Sequence, residues 1–166
     1  MFGKWQSKRK LKGYIKRGLK LPPDIRLIGI PDFGSEPYLI EIGSDVLISA
    51  KVTFINHDGG TWVFRNRPKY GTTIKYGKII IRDNCFIGFR ATILPGVTIG
   101  PNSVVGACSL VSHDVPPDTV VCGVPARAIC GVDDYAEKCR CNYPAWNSRM
   151  AKDKQGELCR LLSHEA

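Results

Sequence analysis

The chain has 166 residues, which suits one domain with a sizeable core, and 43% of them are hydrophobic. Twenty-four Lys and Arg stand against 15 Asp and Glu, a formal charge of +9 that suits an anionic partner. No nucleic-acid motif accompanies the charge, and no apolar run approaches the roughly 20 residues of a membrane-spanning helix, so nucleic-acid binding and membrane spanning are not expected.

Residues 1–24 read as a basic N-terminal arm. Lys4, Lys8, Arg9, Lys10, Lys12, Lys16, Arg17 and Lys20 lie within it. Leu11, Ile15 and Leu19, with Trp5 and Tyr14 nearby, form an apolar stripe at helical spacing. Such a segment suits peripheral contact with membrane lipid or an acidic polymer. The plainer expectation is a solvated arm packed loosely on the rest, because charge runs commonly serve solvation. The first residues are basic but lack an apolar stretch, so a signal peptide is not expected and a cytoplasmic location is, with the inner membrane face open to the arm.

Residues 25–130 carry a repeat. It begins irregularly, because Ile30 and Leu39-Ile40 fit the phase poorly. Ile42-Gly43-Ser44-Asp45-Val46 and Ile48-Ser49-Ala50-Lys51-Val52 then set a step of six. The block closes at Thr53-Phe54-Ile55-Asn56-His57-Asp58-Gly59-Gly60. Residues 58–78 follow, polar and Gly-containing, with Trp62, Phe64, Arg65, Arg67, Pro68 and Tyr70; they read as a loop extruded from the repeat. The repeat resumes at Ile81, 39 positions after Ile42 and therefore out of step.

From there Ile81, Ile87, Ile93, Ile99, Val105 and Val111 recur at every sixth position. Four places after each come Cys85, Ala91, Val97, Ser103, Ser109 and Val115, all small or β-branched. A helix repeats at 3.6 and an ordinary half-buried strand at 2, so a period of six is neither. It suits a coil of short flat strands. The aliphatic residue points inward, the small one fills the bend, and Gly88, Gly100 and Gly106 ease the corners. One coil cannot bury its own apolar face, so coils stack.

Leu110-Val111-Ser112-His113-Asp114-Val115-Pro116-Pro117 and Val121-Cys122-Gly123-Val124-Pro125-Ala126-Arg127-Ala128-Ile129 close the repeat. Pro125 marks a turn there. Residues 131–166, with Tyr135, Trp146 and Leu158, Leu161 and Leu162, read as a helical tail capping the open end of the coil, and His164 in it as inert. Seven cysteines are an odd number without a secretion signal, so disulfides are not expected. Cys130, Cys139 and Cys141 lack the paired spacing of zinc ligands, so no metal is expected.

The hexads, the His57 block and the Gly-x-Pro-Ala-Arg-x-Ile segment together resemble the hexapeptide-repeat acetyltransferases, which include sugar, capsular-polysaccharide and antibiotic acetyltransferases. The resemblance covers about residues 40–130. It implies an all-β fold, a left-handed parallel β-helix with three hexads per coil, so that 81–98 and 99–116 are coils. It also implies a homotrimer with sites between neighbouring coils, acetyl-CoA as co-substrate and a carbohydrate acceptor: a polysaccharide, a nucleotide sugar or a lipid-linked sugar.

Residue by residue, the resemblance places the catalytic histidine at His57. A base that takes the proton of a sugar hydroxyl as it attacks a thioester contributes about 10²–10⁴-fold, and imidazole titrates near neutrality. The oxyanion that forms needs donors, either backbone N–H groups or Asn56, and Asp58 is a candidate to orient the imidazole. The same resemblance assigns acetyl-CoA contacts to Phe89, Ala107, Ser112, His113 and Arg127. His113 stands where the family usually has lysine, and Cys130 where many members have a second basic residue, so the phosphate site is less basic than usual. Phe89 is bulkier than the usual small residue. Trp62 and Tyr70, with Phe64, are candidates to stack on a sugar ring or to anchor the loop.

Three other readings compete: N-acetylation of an amino sugar or antibiotic, a non-catalytic assembly or binding module, and a zinc enzyme like the γ-class carbonic anhydrases. The last needs three histidines, and His57 and His113 have no suitably spaced third.

Overall fold

A computed structural model describes residues 2–143 and 153–162; Trp146 and His164 lie outside the described residues. The chain forms two units, Met1–Val132 and Asp133–Ala166.

The first unit is built from the hexads. After α1 (Phe2–Lys16) come β1 (Arg26–Leu27), β2 (Ile40–Ile42), β3 (Leu47–Ile48) and β4 (Thr53–Phe54). After the loop follow β5 (Ile79–Ile81), β6 (Phe86–Ile87), β7 (Thr92–Ile93), β8 (Thr98–Ile99), β9 (Val104–Val105) and β10 (Leu110–Val111). β11 (Thr119–Gly123) and β12 (Ala126–Gly131) end the unit. While β11 and β12 form an antiparallel hairpin, consecutive strands among β1–β11 do not pair. They pass in turn to three sheets, β1-β3-β6-β9-β11-β12, β4-β7-β10 and β2-β5-β8, called here the first, second and third. All pairs among β1–β11 are parallel, so each turn of chain lays one short strand on each sheet.

Register follows the repeat. Ile81 pairs with Ile99, Ile87 with Val105 and Ile93 with Val111, each 18 residues on. The six in-step aliphatics and the six residues four places after them are all buried. Gly88 shows why a corner needs glycine: a Cβ there would lie 2.6 Å from the Ala107 nitrogen and the Val105 oxygen, both backbone atoms that cannot yield. At another corner Asn84, Asn102 and Asp118 adopt left-handed backbone, which short polar side chains tolerate, and form a ladder of side-chain bonds of 2.9 and 2.8 Å.

Three coils depart from 18. In the first, Arg26 pairs with Leu47 and Asp32 with Thr53, 21 positions apart. The excess is taken up at a single 3₁₀ turn, Pro37–Leu39. In the second, Thr53 pairs with Thr92 across the loop, 39 positions apart. In the last, Val115 pairs with Ile99, only 16 positions on. This corrects the expected role of Val115. It takes an aliphatic sheet position, because the corner at residues 112–114 is two residues shorter than its predecessor.

The N-terminal arm is also corrected. Its residues Phe2–Lys16 form the helix α1, and its packing is not loose. Tyr14 and Leu19 are buried in the same core as the coil. The Tyr14 ring meets Phe33 edge to face at 5.2 Å, and its hydroxyl donates to Asp32 Oδ1 at 2.8 Å. Burial, together with that bond to the carboxylate, pushes the phenol up to about 12. Burial opposes the Asp32 charge, but the bonds from Tyr14 and the Gly34 amide outweigh it, and the carboxyl is lowered. Lys12, Lys16 and Arg17 remain exposed.

The second unit contributes most of α2 (Val132–Asn142) and all of α3 (Lys154–Leu162). Asp133 and Asp134 in the first turn of α2 and Arg140 in its last complement the helix dipole.

Candidate active site

His57 sits where the chain leaves the coil. Ile55 still donates to the Ile93 carbonyl as part of the second sheet. Beyond it the loop has a neck. His57 bridges Tyr76 antiparallel, Asp58 N–H donates to Lys75 at 2.8 Å, and Gly77 N–H donates to Asn56 at 3.0 Å. The imidazole is thus mounted on a hydrogen-bonded neck rather than on a free loop.

The residue that meets it comes from the first coil. His57 Nδ1 lies 3.0 Å from Glu36 Oε2, and Ser35 Oγ donates to the same oxygen at 2.7 Å. Ser35 Oγ is also 3.4 Å from Nδ1. A carboxylate only accepts, so this contact assigns the ring proton to Nδ1 and leaves Nε2 with its lone pair. The Glu36 side chain is 17% exposed and that of His57 44%. The Tyr76 ring lies beside the imidazole at 5.5 Å.

Two expectations for the neighbours are corrected. Asn56 is buried, 1% exposed, and its Nδ2 donates to the carbonyls of Phe33 and Glu36 at 3.1 and 3.0 Å. Both N–H groups are spent there, so the side chain is no oxyanion donor. It pins residues 33–36, and with them Glu36, against the histidine. Asp58 does not orient the imidazole either. Its carboxylate accepts from Lys75 Nζ at 2.7 Å and from the Gly60 amide at 2.8 Å, capping the 3₁₀ helix Gly59–Phe64. Those same two bonds lower its pKa.

The loop arches over a cleft of about 190 Å³ lined by His57, Trp62, Arg65, Lys75 and Tyr76. Trp62 is 76% exposed beside it. Tyr70 is elsewhere: it packs edge to face on Phe64 at 5.8 Å and lines a separate cleft with Arg67 and Thr73. The structure therefore brings Trp62 to His57 and Tyr70 to the loop's own packing.

Four of the five expected coenzyme positions fall on the two borders of the second sheet. Phe89 lies on the corner entering β7, half exposed, with Lys51 Nζ 5.7 Å and Arg90 Cζ 5.4 Å from its ring centre. Ala107 follows one coil on at the same corner, held by the Cys108 N–H to Phe89 carbonyl bond of 2.7 Å. Ser112 and His113, joined at 2.9 Å, lie on the opposite border, which also carries Asn56 and His57. Arg127, on β12 of the first sheet, is exposed and donates to the neighbouring Ala126 carbonyl. Among the described residues no group of three His, Cys, Asp or Glu is placed to hold a metal.

The family model described as bacterial transferase hexapeptide (six repeats) matches residues 78–113. Protein CapG of Staphylococcus aureus is 46% identical over 125 residues, 74% of this chain and 72% of that protein. The chain belongs to the bacterial hexapeptide-repeat transferases. Within that transferase family the galactoside O-acetyltransferase of Escherichia coli K12 is 40% identical over 101 residues, 60% of this chain; the match spans about half of that enzyme, 47%. The solved maltose O-acetyltransferase of Clostridium difficile 630 shares the fold, with a TM-score of 0.51 at 22% identity over 75% of this chain and 85% of that one.

Sequence reasoning about this family member missed Glu36, Ser35, Tyr76 and Lys51. Only the strand register points to Glu36. It precedes His57 by 21 positions, the spacing that pairs Arg26 with Leu47 and Asp32 with Thr53.

Proposed function

We propose that the protein is an acetyl-CoA-dependent O-acetyltransferase acting on a carbohydrate hydroxyl, with His57 as general base. The observation that carries this is the Glu36–His57 contact. It fixes the tautomer whose free nitrogen can take a proton, on a ring that lines an open cleft. Glu36 is a positioning residue for it. As the acceptor oxygen attacks, Nε2 takes its proton, and the neighbouring carboxylate stabilises the imidazolium that forms. The Nε2 proton then goes to the departing sulfur, which restores the neutral ring. Acetyl-CoA, when bound, supplies the activated acyl carbon and a thiol leaving group. Ala107 and Ser112 would line its path, and Arg127 would meet its phosphates. Lys51 and Arg90, cations flanking an exposed Phe89, make the border basic enough for a polyanion even though His113 and Cys130 are weak substitutes. Oxyanion donors in this reading are backbone N–H groups, since Asn56 is committed.

Family membership supports a left hand for the coil and a homotrimer with each site shared between copies. Half-exposed Phe86 and Phe89 are apolar surface for such contacts. Among the described residues no helix is long and apolar enough to cross a membrane. The exposed cations of α1 support a peripheral contact with anionic lipid at the inner membrane face, which favours a lipid-linked acceptor.

The test is free-thiol release from acetyl-CoA on a panel of sugars and amino sugars, with wild type beside His57→Ala. Turnover by wild type that drops about a hundredfold or more in the variant sustains the reading. Equal slow release by both on every acceptor refutes it.

A further inference from the structure

The loop that covers His57 carries an unbalanced charge. Residues 59–78 contain Arg65, Arg67, Lys69, Lys75 and Lys78 and no Asp or Glu. Two of these cations are satisfied from the coil and neck, Lys75 by Asp58 and Lys78 by Glu41. Among the described residues no carboxylate lies within ion-pair reach of Arg65, Arg67 or Lys69. Arg65 matters most, because it lines the same cleft as His57. Among the described residues its guanidinium hydrogen-bonds the Thr61 hydroxyl, a long 3.4 Å bond to a neutral oxygen.

A site for a neutral sugar needs acceptors as well as donors, because every hydroxyl is both. Here Asp58 is consumed by Lys75, and Glu36 is turned onto the imidazole. What faces the acceptor is the exposed Trp62 ring, a flat surface for a sugar or a base, with a forked cation beside it. A guanidinium matches the two oxygens of a phosphate or carboxylate in a way a hydroxyl does not.

We propose that the acceptor carries a phosphate or carboxylate close to the hydroxyl that is acylated, and that Arg65 recognises that anion. The inference rests on the acetyltransferase reading and narrows its substrate class. Arg67, in the separate cleft with Tyr70, adds positive surface on the same loop that suits a longer acceptor such as a diphosphate.

The experiment compares galactose, galactose 1-phosphate, galacturonate and UDP-galactose as acceptors, with wild type, Arg65→Gln and Arg65→Lys, at low and high salt. The expected result is a preference of about tenfold or more in kcat/KM for at least one charged form, the worth of one charge-assisted bond. That preference shrinks at least fivefold in Arg65→Gln, partly returns in Arg65→Lys, and weakens with salt. Which arm carries it separates phosphate from carboxylate. A ratio near one in wild type, or a ratio unchanged in Arg65→Gln, overturns the inference and leaves the acetyltransferase standing. If no acceptor releases thiol, the acetyltransferase reading falls. Calorimetric binding of the same four compounds then decides the anion site: binding of a charged form that Arg65→Gln abolishes supports it, and no binding overturns it.

Discussion

Replacing Glu36 by glutamine tests the site at its narrowest point. The variant keeps the length of the side chain and an acceptor oxygen, and removes the charge that faces His57 Nδ1 at 3.0 Å. Two unit charges at that distance attract by about 1.4 kcal/mol in bulk water and about 5.5 kcal/mol at an effective dielectric of 20. With Glu36 17% and His57 44% exposed, the pair lies toward the wetter bound, about 2–3 kcal/mol. That attraction exists only once the ring is protonated, so it belongs to the transition state. The expected loss is about 30- to 150-fold in kcat. An amide that turns its NH₂ toward Nδ1 would add the wrong tautomer to the loss. KM for acetyl-CoA should stay within about twofold and the melting temperature within about 2 °C, since no buried group is left unpaired. Thiol release under saturating acetyl-CoA, with a melting curve on the same sample, measures all three. A kcat within threefold of wild type refutes the positioning role, and so does a fall in kcat matched by collapse of the melting curve.

Further outcomes follow from the same geometry. Asn56→Ala strips a buried carbonyl and a partly buried one of their donor, about 1–3 kcal/mol each at most, and should lower the melting temperature by about 5–15 °C. Gly88→Ala drives a Cβ to 2.6 Å from backbone atoms of the next coil, so denaturant unfolding should show a larger loss than the roughly 2–5 kcal/mol of Ile87→Ala. In Tyr14→Phe the Asp32 carboxyl loses its principal hydrogen bond. A depressed carboxyl contributes stability that is present above its unfolded pKa and lost as pH falls through the lowered folded one, so urea midpoints of wild type and variant should converge as the pH falls below the ordinary carboxylate range. On the alkaline side, the Tyr14 contribution is present below pH 10 and is lost as pH rises through about 12. Native thiol labelling should modify exposed Cys108 and spare Cys85, whose thiol burial pushes up in pKa and which donates to the Gly100 carbonyl at 3.1 Å.

The coil was legible because its signal is periodic and local. Each of Ile81, Ile87, Ile93, Ile99, Val105 and Val111 announces the same buried place, and each is found there. His57 stood out because the repeat stops at it. What was not legible lies in distances along the chain that no local pattern marks. Glu36 belongs to a coil too irregular to phase, and Asn56 next to a candidate base looks like a catalytic donor until its two carbonyl partners are known. Asp58 misled for the same reason, since adjacency in sequence placed it on the wrong side of the neck, with Lys75. The charge run of residues 1–20 hid a docked helix, because its apolar anchors, Leu11 and Tyr14 in the helix and Leu19 just after it, are outnumbered by lysines.

These failures share a cause that says how the site is made. The 18-residue coils repeat one register and supply the stiff frame. The side chains that close around His57 come from two of the three coils that break the rule. Three extra residues in the first form the turn at Pro37–Leu39 and bring Glu36 level with the histidine. The large insertion in the second throws out the loop that brings Trp62, Arg65 and Tyr76. Both departures meet at one border of the second sheet, and the third, the shortened corner at residues 112–114, lies on that same border. A repeat cannot carry chemistry by itself, because each coil presents the same surface as the last. Specificity therefore has to enter through insertions and deletions, and in this chain all three that the register reveals fall on the edge that carries the base.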